Sequence, residues 1–454
     1  MELTGKNVLV MGAGISGRAA VELLLRAQAN PLLFEGNTEK TKEDIIQQHH
    51  ALAHVPVYIG EVPEEILIQV DLAILSPGIP PQSELPGRCR ELNIPLWGEL
   101  ELAYRLTKGE VFAITGTNGK TTTTALTGEI FKAYFSEVFV VGNIGIPYTS
   151  VAIDTTQDSR TVIEVSSFQL ETVREFRPRV SAILNITEDH MDRHHTMQEY
   201  ARVKELITQN QTAADVCVLN YEDEELRRFS ENLIPRCVFF SSARSLEEGV
   251  FLHGDDIVFR EQGEETLLVN VNELHLLGKH NYENVMAAFA IAYSTGIPVS
   301  VIRRAILKFI AVPHRIEFVR EVNEVMYYND SKGTNPDAAI KAVQAMKRPT
   351  LIIGGGYDKN ADFKPWITAF GDKVRLLVLL GQTKEKIREA AEEVGFSDFV
   401  MAETLEEAVG ICAAQARPGD AVLLSPACAS WGQFTNYEER GDRFKEYVGK
   451  IQTH

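Results

Sequence analysis

Residues 116–122 bring together the residue types that bind nucleotide phosphates. An apolar run at 111–114 is followed by TGTNGKTT at 115–122, and a helical pattern starts at Thr123. Glycines let backbone N–H groups converge on phosphate oxygens, and the amino terminus of a helix adds partial positive charge. Lys120 is placed to reach the terminal phosphates and Thr121 to bind Mg²⁺. The segment predicts a nucleoside triphosphate site formed by Gly116, Thr117, Asn118, Gly119, Lys120, Thr121 and Thr122.

This loop departs from the strict phosphate-loop pattern at one position. The pattern GxxxxGK[ST] requires a glycine where Ile114 stands, so the match is to a shorter variant. The alternative is a glycine-rich turn that only caps a helix. The succession of strand, loop, GKT and helix favours the phosphate site.

A second glycine loop follows the first apolar strand. Residues 12–17 read GAGISG and open a helix, and Glu35 ends the next strand. This is the dinucleotide fingerprint, in which the acidic residue binds a ribose. Because the phosphate loop makes a hydride-transfer enzyme an awkward hypothesis, we favour a nucleotide-linked substrate here, with NAD or a structural turn as alternatives. Ser76 and Gly78 follow another strand and lie at the same ligand-binding edge, unless they form an ordinary turn.

Two polar clusters end apolar runs in the middle of the chain. They read EVSSFQ at 164–169 and NITEDHMD at 185–192. Glu164 and His190 suit Mg²⁺ or its surroundings near a triphosphate, although His190 taken singly fits a capping or core histidine better. The adjacent His194 and His195 are expected to be solvated. From the residues alone, Lys204 is interpreted as a surface lysine.

Apolar runs that alternate with helical patterns indicate parallel strands covered on both faces. Three such series follow one another, with strands beginning near residues 7, 111 and 351. We therefore predict an α/β protein of three consecutive domains: an N-terminal Rossmann-like domain at 1–98, a central P-loop-type ATPase domain at 99–311 and a C-terminal Rossmann-like domain at 312–454. Short alternating runs at 236–276 predict an antiparallel excursion within the central domain.

Composition restricts the class of partner. The formal net charge of −18 argues against a nucleic acid or an anionic membrane as partner. No stretch approaches the ~20 apolar residues of a membrane span, and the amino terminus shows no secretory signal, so we expect a cytoplasmic protein. The five cysteines lack a CxxC pair and favour neither a zinc site nor a disulfide framework.

The motifs together resemble those of the Mur ligase family over nearly the whole chain. Besides GAGISG they read SPGIP at 76–80, ITGTNGKTT at 114–122, GNIG at 142–145, EVSSFQLE at 164–171, NITEDHMDRH at 185–194, GKHNYEN at 278–284, PHRIE at 313–317, NDSKGTNPDA at 329–338, GGGYDKNADF at 354–363 and SPACASWGQFTNYEERG at 425–441. The ATP-site motifs are shared across the family. The last block and HMDRH favour its D-glutamate-adding branch.

The resemblance implies a ligase that uses ATP and two Mg²⁺ ions to join D-glutamate to UDP-N-acetylmuramoyl-L-alanine through an acyl phosphate, in peptidoglycan precursor synthesis. It implies that Lys120 and Thr121 meet the phosphates and Mg²⁺, that Glu164 binds one metal, and that His190 binds a second one bridged by a carbamylated Lys204. The nucleoside would lie on Asn284, Arg315 and Asp330, with Lys332 near the transferred phosphate. The substrate positions are Ile15, Ser16, Glu35, Gly36, Ser76, Gly78, Asn143 and Ser166 and, for D-glutamate, Thr334, Lys359, Ser430 and Tyr437.

The chain departs from the family at two of these positions. Gly36 and Asn37 follow Glu35 where the family often has a hydroxyl and an arginine, and Tyr437 replaces a phenylalanine of some members. The alternatives are another Mur-type ligase that adds a different amino acid, an NAD-dependent oxidoreductase, and a non-catalytic nucleotide sensor. A monomer is expected.

Overall fold

The structure, a computed structural model, describes residues 2–47, 49–143, 145–310, 312–358 and 361–452. Its contacts divide the chain into two compact units. The first contains the chain up to Leu268 and adds Glu283–Ile306, and the second contains Val269–Tyr282 and the chain from Leu307 onward. The domain boundaries at 98 and 311 stay predictions, and residue 311 lies outside the described residues. Among the described helices, none is long and apolar enough to span a bilayer.

Three sheets flanked by helices confirm the predicted α/β class. The first sheet has five parallel strands in the order β3-β2-β1-β4-β5. Its strands are β1 (Asn7–Met11), β2 (Asn30–Glu35), β3 (Val57–Ile59), β4 (Leu72–Leu75) and β5 (Leu96–Gly98). Its helices are α1 (Ile15–Arg26), α2 (Lys42–Gln47), α3 (Glu64–Leu67), α4 (Glu84–Glu91) and α5 (Glu99–Leu106).

The order of this first sheet explains where its loops meet. Strand β4 reads LAIL and is buried along its whole length, as expected of a parallel strand covered on both faces. Strands β1 and β4 are neighbours, and the chain leaves them in opposite directions across the sheet. The loops after Met11 and Leu75 therefore share the crevice in which open α/β sheets bind ligands.

The second sheet has nine strands in the order β14-β13-β12-β11-β10-β9-β6-β8-β7. They are β6 (Glu110–Thr115), β7 (Val138–Gly142), β8 (Arg160–Glu164), β9 (Val180–Ile183), β10 (Val216–Asn220), β11 (Arg236–Ser241), β12 (Gly249–His253), β13 (Asp256–Glu261) and β14 (Glu264–Asn270). The helices of this region are α6 (Lys120–Lys132), α7 (Ser167–Leu170), α8 (Met191–His194), α9 (Met197–Glu205), α10 (Glu224–Ser230), α11 (Lys279–Tyr293) and α12 (Val299–Lys308). Strands β12 and β13 are antiparallel, which confirms the predicted excursion.

Strand β6 lies between β9 and β8, and all three are parallel. Their carboxyl ends therefore meet at one edge of the sheet. The phosphate loop follows β6, the EVSSFQ cluster follows β8, and the NITEDHMD cluster follows β9. The strand order thus brings together three motifs that lie far apart in the sequence.

The third sheet belongs to the second unit and has the order β15-β16-β20-β17-β18-β19. Its strands are β15 (Glu317–Val322), β16 (Val325–Asn329), β17 (Thr350–Gly354), β18 (Val374–Leu379), β19 (Phe399–Met401) and β20 (Ala421–Leu424). Its helices are α13 (Pro336–Ala345), α14 (Lys364–Thr368), α15 (Lys384–Glu393), α16 (Leu405–Gln415) and α17 (Tyr437–Gly449). Only β15 is antiparallel to its neighbour among the strand pairs of this sheet.

Helix α5 connects the first two sheets through a buried carboxylate. Glu101 is fully buried, and its oxygens accept hydrogen bonds from the backbone N–H groups of Arg174 at 2.9 Å, Glu175 at 2.9 Å and Phe176 at 3.1 Å. The Nε of Arg105 donates a fourth at 2.8 Å. These donors neutralise the buried charge and hold the chain after α7 against α5.

We predict that Glu101→Gln lowers the free energy of unfolding of the first unit by about 2 to 4 kcal/mol, because an amide nitrogen then faces N–H donors and Arg105 loses its counter-charge. Hydrogen exchange of the 174–176 amides measures this loss. The matched control is Glu91→Gln, since the Glu91 side chain is 71% exposed. Equal exchange in both variants contradicts the prediction.

Candidate functional site

The phosphate loop depends on two glycines with backbone angles that other residues avoid. Gly116 has φ of +147° and Gly119 of +87°. A Cβ at Gly116 would lie 3.0 Å from the Cβ of Leu184, and one at Gly119 would clash with the Asn284 side chain. Helix α6 begins at Lys120, three residues before the predicted start. The loop is therefore a glycine-shaped concavity at a helix amino terminus, which fits a phosphate group.

The loop is held in shape by Asn185, which follows β9. The backbone N–H of Asn118 donates to Asn185 Oδ1 at 2.8 Å, and Asn185 Nδ2 donates to the carbonyl of Asn118 at 3.0 Å. The N–H of Thr117 donates to the carbonyl of Asn185 at 2.9 Å. Three hydrogen bonds to one residue fix the loop before any ligand binds.

Two lysines share one carbonyl beside the loop. The carbonyl oxygen of Gly116 accepts from Lys120 Nζ at 2.8 Å and from Lys204 Nζ at 3.0 Å. Lys204 is only 1% exposed, and its ammonium lies 4.5 Å from the ring centre of Tyr200. Burial, and then repulsion by Lys120, lowers the pKa of Lys204 well below its usual value. The interpretation of Lys204 as a surface lysine is wrong, because it lies on the buried face of α9.

Glu164 ends β8 next to the loop and is 2% exposed. Its side chain accepts one hydrogen bond, from Asn143 Nδ2 at 3.2 Å, and has no other side-chain partner in the described part of the chain. A buried carboxylate with a single amide donor is suited to a cation. No three His, Cys, Asp or Glu side chains of the described residues cluster into a metal cage. The single carboxylate of Glu164 is the kind of ligand that Mg²⁺ takes, since that ion completes its shell with phosphates and water.

His190 stands apart from Glu164 and Lys204. It adopts a left-handed backbone with φ of 54°, and its side chain is 47% exposed. Its ring lies 4.8 Å from that of Phe168 and its Nε2 3.5 Å from Asp189. The structure brings His190 to the same sheet edge, and within the described residues it makes no direct bond to Glu164 or Lys204.

His194 is buried, so the expectation that it is solvated is wrong, whereas His195 is exposed as expected. The Nε2 of His194 lies 3.0 Å from Ser167 Oγ, and the His194 ring packs against Phe168 and Tyr200. Burial lowers the pKa of His194 despite the nearby Glu171 carboxylate, so the ring is neutral. The reason for the error is α8, a single turn that directs His194 inward and His195 outward. His194 therefore connects the clusters that follow β8 and β9.

Tyr200 is a functional residue that the sequence interpretation missed. Its hydroxyl lies 3.2 Å from Thr117 Oγ1, which also donates to the carbonyl of Thr187 at 3.1 Å. Tyr200 thus joins α9 to the phosphate loop while its ring covers Lys204. No local sequence signal distinguishes it from an ordinary core tyrosine.

Ser166 caps α7 rather than pointing freely at a ligand. Its Oγ accepts from the N–H of Gln169 at 3.3 Å, and Gln169 Oε1 accepts from the N–H of Ser166 at 2.8 Å. This capping box has the readable pattern S-x-x-Q, which could have been found in the sequence. Gln169 Nε2 also donates to Glu99 at 2.6 Å, and burial raises the pKa of Glu99.

The first glycine loop lies in the crevice between β1 and β4. Gly12 has φ of +98°, and a Cβ there would lie 3.0 Å from Ser76 Oγ. The structure thus brings Ser76 against the GAGISG loop, as predicted. Gly78 is exposed in the same turn, and Ile15, at the amino terminus of α1, is 67% exposed. An exposed isoleucine beside a helix amino terminus offers one apolar and one anion-binding surface.

Glu35, which ends β2, has a partner of its own. Its carboxylate accepts from Lys40 Nζ at 2.8 Å and from the N–H of Asn37 at 2.9 Å, across Gly36. Burial alone would raise the pKa of Glu35, but these donors hold it below its usual value. These donors hold the Glu35 carboxylate in place at the carboxyl end of β2.

In the second unit, Asp330 and Ser425 follow the adjacent strands β16 and β20. Ser425 Oγ donates to Asp330 Oδ2 at 2.8 Å, and Asp330 is 6% exposed. Burial raises the pKa of Asp330 to about 7, although Ser425 and the charge of Arg315 act in the opposite direction. The predicted nucleoside residues Arg315 and Asp330 are therefore neighbours.

Arg440 of α17 organises the other predicted residues of this unit. Its buried guanidinium donates to Ser331 Oγ at 2.9 Å, to the carbonyl of Ser331 at 2.7 Å and to the carbonyl of Cys428 at 3.1 Å. Burial lowers the pKa of Arg440 to about 10. Sequence interpretation missed this residue, since an arginine in an acidic helix resembles a surface charge.

Two of the remaining predicted positions of this unit, Lys332 and Tyr437, adjoin the Ser331 segment that this guanidinium binds. Lys332 Nζ lies 5.3 Å from the ring centre of Tyr437, whose carbonyl accepts from Ser331 Oγ at 2.8 Å. The N–H of Thr334 donates to the carbonyl of Lys332 at 2.8 Å, and Ser430 is 5% exposed. Lys359 lies outside the described residues.

Three family profiles match the chain in succession. They are described as "Mur ligase MurD-like, N-terminal domain" over residues 6–97, "Mur ligase middle domain" over 114–292 and "Mur ligase, glutamate ligase domain" over 314–428. A protein of Lachnoclostridium phytofermentans named UDP-N-acetylmuramoylalanine–D-glutamate ligase is 52% identical over 452 residues, covering 100% of both chains. A protein of the same name from Lachnospira eligens is 51% identical, covering 99% of this chain and 100% of its own.

Solved structures show the same fold at lower identity. The UDP-N-acetylmuramate-alanine ligase MurC of Thermotoga maritima is 18% identical, with a TM-score of 0.61 over 98% of this chain and 100% of its own. The MurF ligase of Thermotoga maritima, solved in complex with ADP, is 16% identical, with a TM-score of 0.57 over 99% of this chain and 96% of its own. These likenesses establish the architecture.

The raised pKa of Asp330 predicts how the stability of the second unit depends on pH. Because its pKa is about 7 in place of 3.8, the folded state keeps a proton that the unfolded chain loses. This contribution to the free energy of unfolding is full below about pH 4 and is lost as the pH rises through 7. The substitution Asp330→Asn should remove this decrease in the free energy of unfolding with rising pH.

Hydrogen exchange of the β16 and β20 amides, corrected for intrinsic rates, measures the free energy of unfolding from pH 4.5 to 8. The control is Asp337→Asn, because Asp337 is exposed in the same unit and its substitution should preserve the wild-type slope. An identical slope in wild type and Asp330→Asn would refute the role of Asp330.

Proposed function

The chain belongs to the Mur ligase family, and on that basis we propose that it is the ATP-dependent ligase that joins D-glutamate to UDP-N-acetylmuramoyl-L-alanine. The observation that carries the proposal is the meeting of the phosphate loop 116–122 with buried Glu164 and Lys204 at one sheet edge. The relatives that carry this name match the chain from end to end, including the D-glutamate-branch motif at 425–441.

Forming an amide from a carboxylate requires activation of the carboxylate. In the proposed reaction, the alanyl carboxylate attacks the γ-phosphorus of ATP, which gives an acyl phosphate and ADP. The amine of D-glutamate then attacks the acyl carbon, phosphate leaves with the bonding electrons, and the amine loses a proton. The overall products are the amide, ADP and inorganic phosphate.

The residues of the first unit suit the phosphoryl transfer. The backbone N–H groups of the loop and the amino terminus of α6 would bind the phosphates. Lys120 would stabilise the negative charge on the phosphoryl group during its transfer. Thr121, Glu164 and His190 would hold Mg²⁺, which when bound neutralises phosphate charge. Asn143, which donates to Glu164, would orient that carboxylate and lie near the substrate.

The depressed pKa of Lys204 supports its proposed carbamylation. A neutral amine attacks CO₂, forms an N–C bond and releases one proton, and the product is an anionic carbamate. Burial and the charge of Lys120 both disfavour the ammonium, and the charge of Lys120 also favours the carbamate anion. The modified side chain would then be an oxygen ligand for the second cation.

The residues of the second unit would serve nucleoside and amino acid. Arg315 and Asp330, together with Asn284 of the first unit, would bind the nucleoside, and Lys332 would meet the transferred phosphate. We assign D-glutamate to Thr334, Lys359, Ser430 and Tyr437. In the first unit, UDP would rest on Ile15, Ser16, Glu35 and Gly36, with Ser76, Gly78 and Ser166 completing the substrate residues.

The predicted domain roles, location in the cell and oligomeric state belong to the same proposal. The predicted domains at 1–98, 99–311 and 312–454 would bind the UDP-sugar, ATP, and D-glutamate with part of ATP. A reaction that consumes ATP and a UDP-linked sugar fits the cytoplasm, and a monomer stays the predicted oligomeric state.

The proposed amino-acid specificity predicts that ADP is released at a substantial rate only with UDP-N-acetylmuramoyl-L-alanine and D-glutamate together. Replacing D-glutamate with L-glutamate, L-alanine or meso-diaminopimelate should lower kcat/KM at least ~100-fold. L-Alanine lacks the second carboxylate, L-glutamate presents its two carboxylates with the opposite handedness, and meso-diaminopimelate holds them farther apart, so each leaves charged groups of the site unpaired. A coupled assay of ADP measures this. Equal rates with another amino acid assign the chain to a different ligase, and ADP release without any acceptor favours a nucleotide hydrolase or sensor.

The proposed carbamate predicts that Lys204→Ala lowers kcat at least ~100-fold, because it removes a metal-binding anion. Short carboxylic acids such as acetate or propionate should restore part of kcat by supplying carboxylate oxygens to the vacated space. The matched control is Arg202→Ala on the exposed face of α9. Full activity of Lys204→Ala would refute the role, and a loss without rescue would identify a purely structural lysine.

A further inference from the structure

A cavity of about 300 Å³ lies in the second unit, away from the residues discussed above. Its apolar walls come from Leu274, Leu277, Phe318, Met326 and Met346, and polar side chains, His275 among them, complete the lining. This volume lies at the lower end of the range of small-molecule sites. The cavity is therefore large enough for a small organic molecule.

Its position separates it from the proposed reaction. Met326 lies near the start of β16, and Ala421 is the first residue of β20. Asp330 and Ser425 follow the opposite, carboxyl ends of the same two strands. Most of its lining thus lies at the amino-terminal side of this sheet, and Tyr328, the fourth residue of β16, extends it toward the carboxyl end.

Three side chains that line the cavity are hydrogen-bond donors, and each donates to a weak or distant acceptor. The hydroxyl of Tyr328 donates to the thioether of Met326 at 3.1 Å, its one hydrogen bond in the part of the chain that the structure describes. Arg348 donates to the carbonyl of Glu324 at 3.4 Å, and Lys347 to Asn272 Oδ1 at 3.3 Å. Within the described residues, neither cation forms an ion pair with a carboxylate.

Several other cations of this unit do have a carboxylate partner, whereas Lys373 and Arg440 donate to carbonyls. Carboxylates pair with Lys384 at 2.7 Å, Lys386 at 3.1 Å and Lys445 at 3.1 Å. In a chain with a net charge of −18, acidic partners are abundant. The carboxyl end of α13, which precedes Lys347 and Arg348, favours cations there, but it accounts neither for the adjacent cavity nor for the tyrosine hydroxyl.

We propose that this cavity binds a small amphipathic anion, with an apolar body in the cavity and a carboxylate or phosphate between Lys347, Arg348 and the Tyr328 hydroxyl. Charge-assisted hydrogen bonds to an anion are shorter and stronger than those to the present neutral acceptors. Since a cavity of ~150 Å³ holds benzene, a body of roughly ten to twelve non-hydrogen atoms fits. A ligand of that size should bind with Kd on the order of 0.1 to 1 mM.

The proposal is tested by calorimetric titration of the full chain with 4-phenylbutyrate and 4-phenylbutyl phosphate, with 4-phenylbutanol as the neutral analogue. ATP is present throughout, so that the phosphate loop is occupied and cannot bind the probes. The double variant Lys347→Glu/Arg348→Glu reverses the charge at two surface positions without altering the core. The matched control is Lys373→Glu, because Lys373 is exposed and also donates to a neutral acceptor, the carbonyl of Gln344.

The expected result is saturable binding of at least one anionic probe, at least ~10-fold weaker binding of the alcohol, and a loss of at least ~10-fold in the double variant but not in Lys373→Glu. The preferred probe identifies the head group as carboxylate or phosphate. The proposal is overturned if neither anionic probe binds at about 5 mM, a concentration of several times the expected Kd. It is also overturned if the alcohol binds with equal affinity, or if the double variant keeps the affinity of the wild type. None of these outcomes depends on the proposed ligase activity.

Discussion

The carbonyl oxygen of Gly116 accepts hydrogen bonds from both Lys120 and Lys204. The strands and helices of the first unit hold the two lysines within hydrogen-bond distance of this one acceptor. Two ammonium groups on one acceptor repel each other, and burial of Lys204 increases the cost of its charge. The positive charge of the two lysines therefore favours the binding of anions at this position. Phosphates beside Lys120, or an anionic derivative of Lys204, would relieve the repulsion that the chain alone leaves in place.

Burial sets the electrostatics of both units. Lys204, His194, Glu99 and Asp330 all have pKa values shifted toward the neutral form by removal from water. Each neutral or easily neutralised group lies within hydrogen-bond distance of a chain segment that follows a strand. The protein thus holds polar residues at its sheet edges with few buried charges, and where a charge is kept at such an edge, as at Glu35, Lys40 and the N–H of Asn37 outweigh burial and lower its pKa.

The fold could be predicted from the sequence because its strands are continuous apolar runs, as in LAIL of β4 and the run before Gly116. The phosphate loop could be predicted because glycine, lysine and threonine have distinct chemical roles there. Burial of Lys204 and His194 could not, since α8 and α9 are short and the groups that cover the two side chains, the carbonyl of Gly116 and the ring of Phe168, come from distant parts of the chain. Arg440 was missed for the same reason, because its partners are distant backbone carbonyls.

The hydrogen bonds between Asn185 and the backbone of Asn118 also bear on chemical ageing. Asn118 precedes Gly119, and an Asn-Gly pair loses ammonia when the glycine nitrogen attacks the asparagine side chain, a reaction that needs a mobile backbone. Asn185 binds both the N–H and the carbonyl of Asn118, and Gly119 is fixed at the start of α6. The anchor that shapes the loop therefore also restrains the backbone rearrangement that deamidation of Asn118 requires.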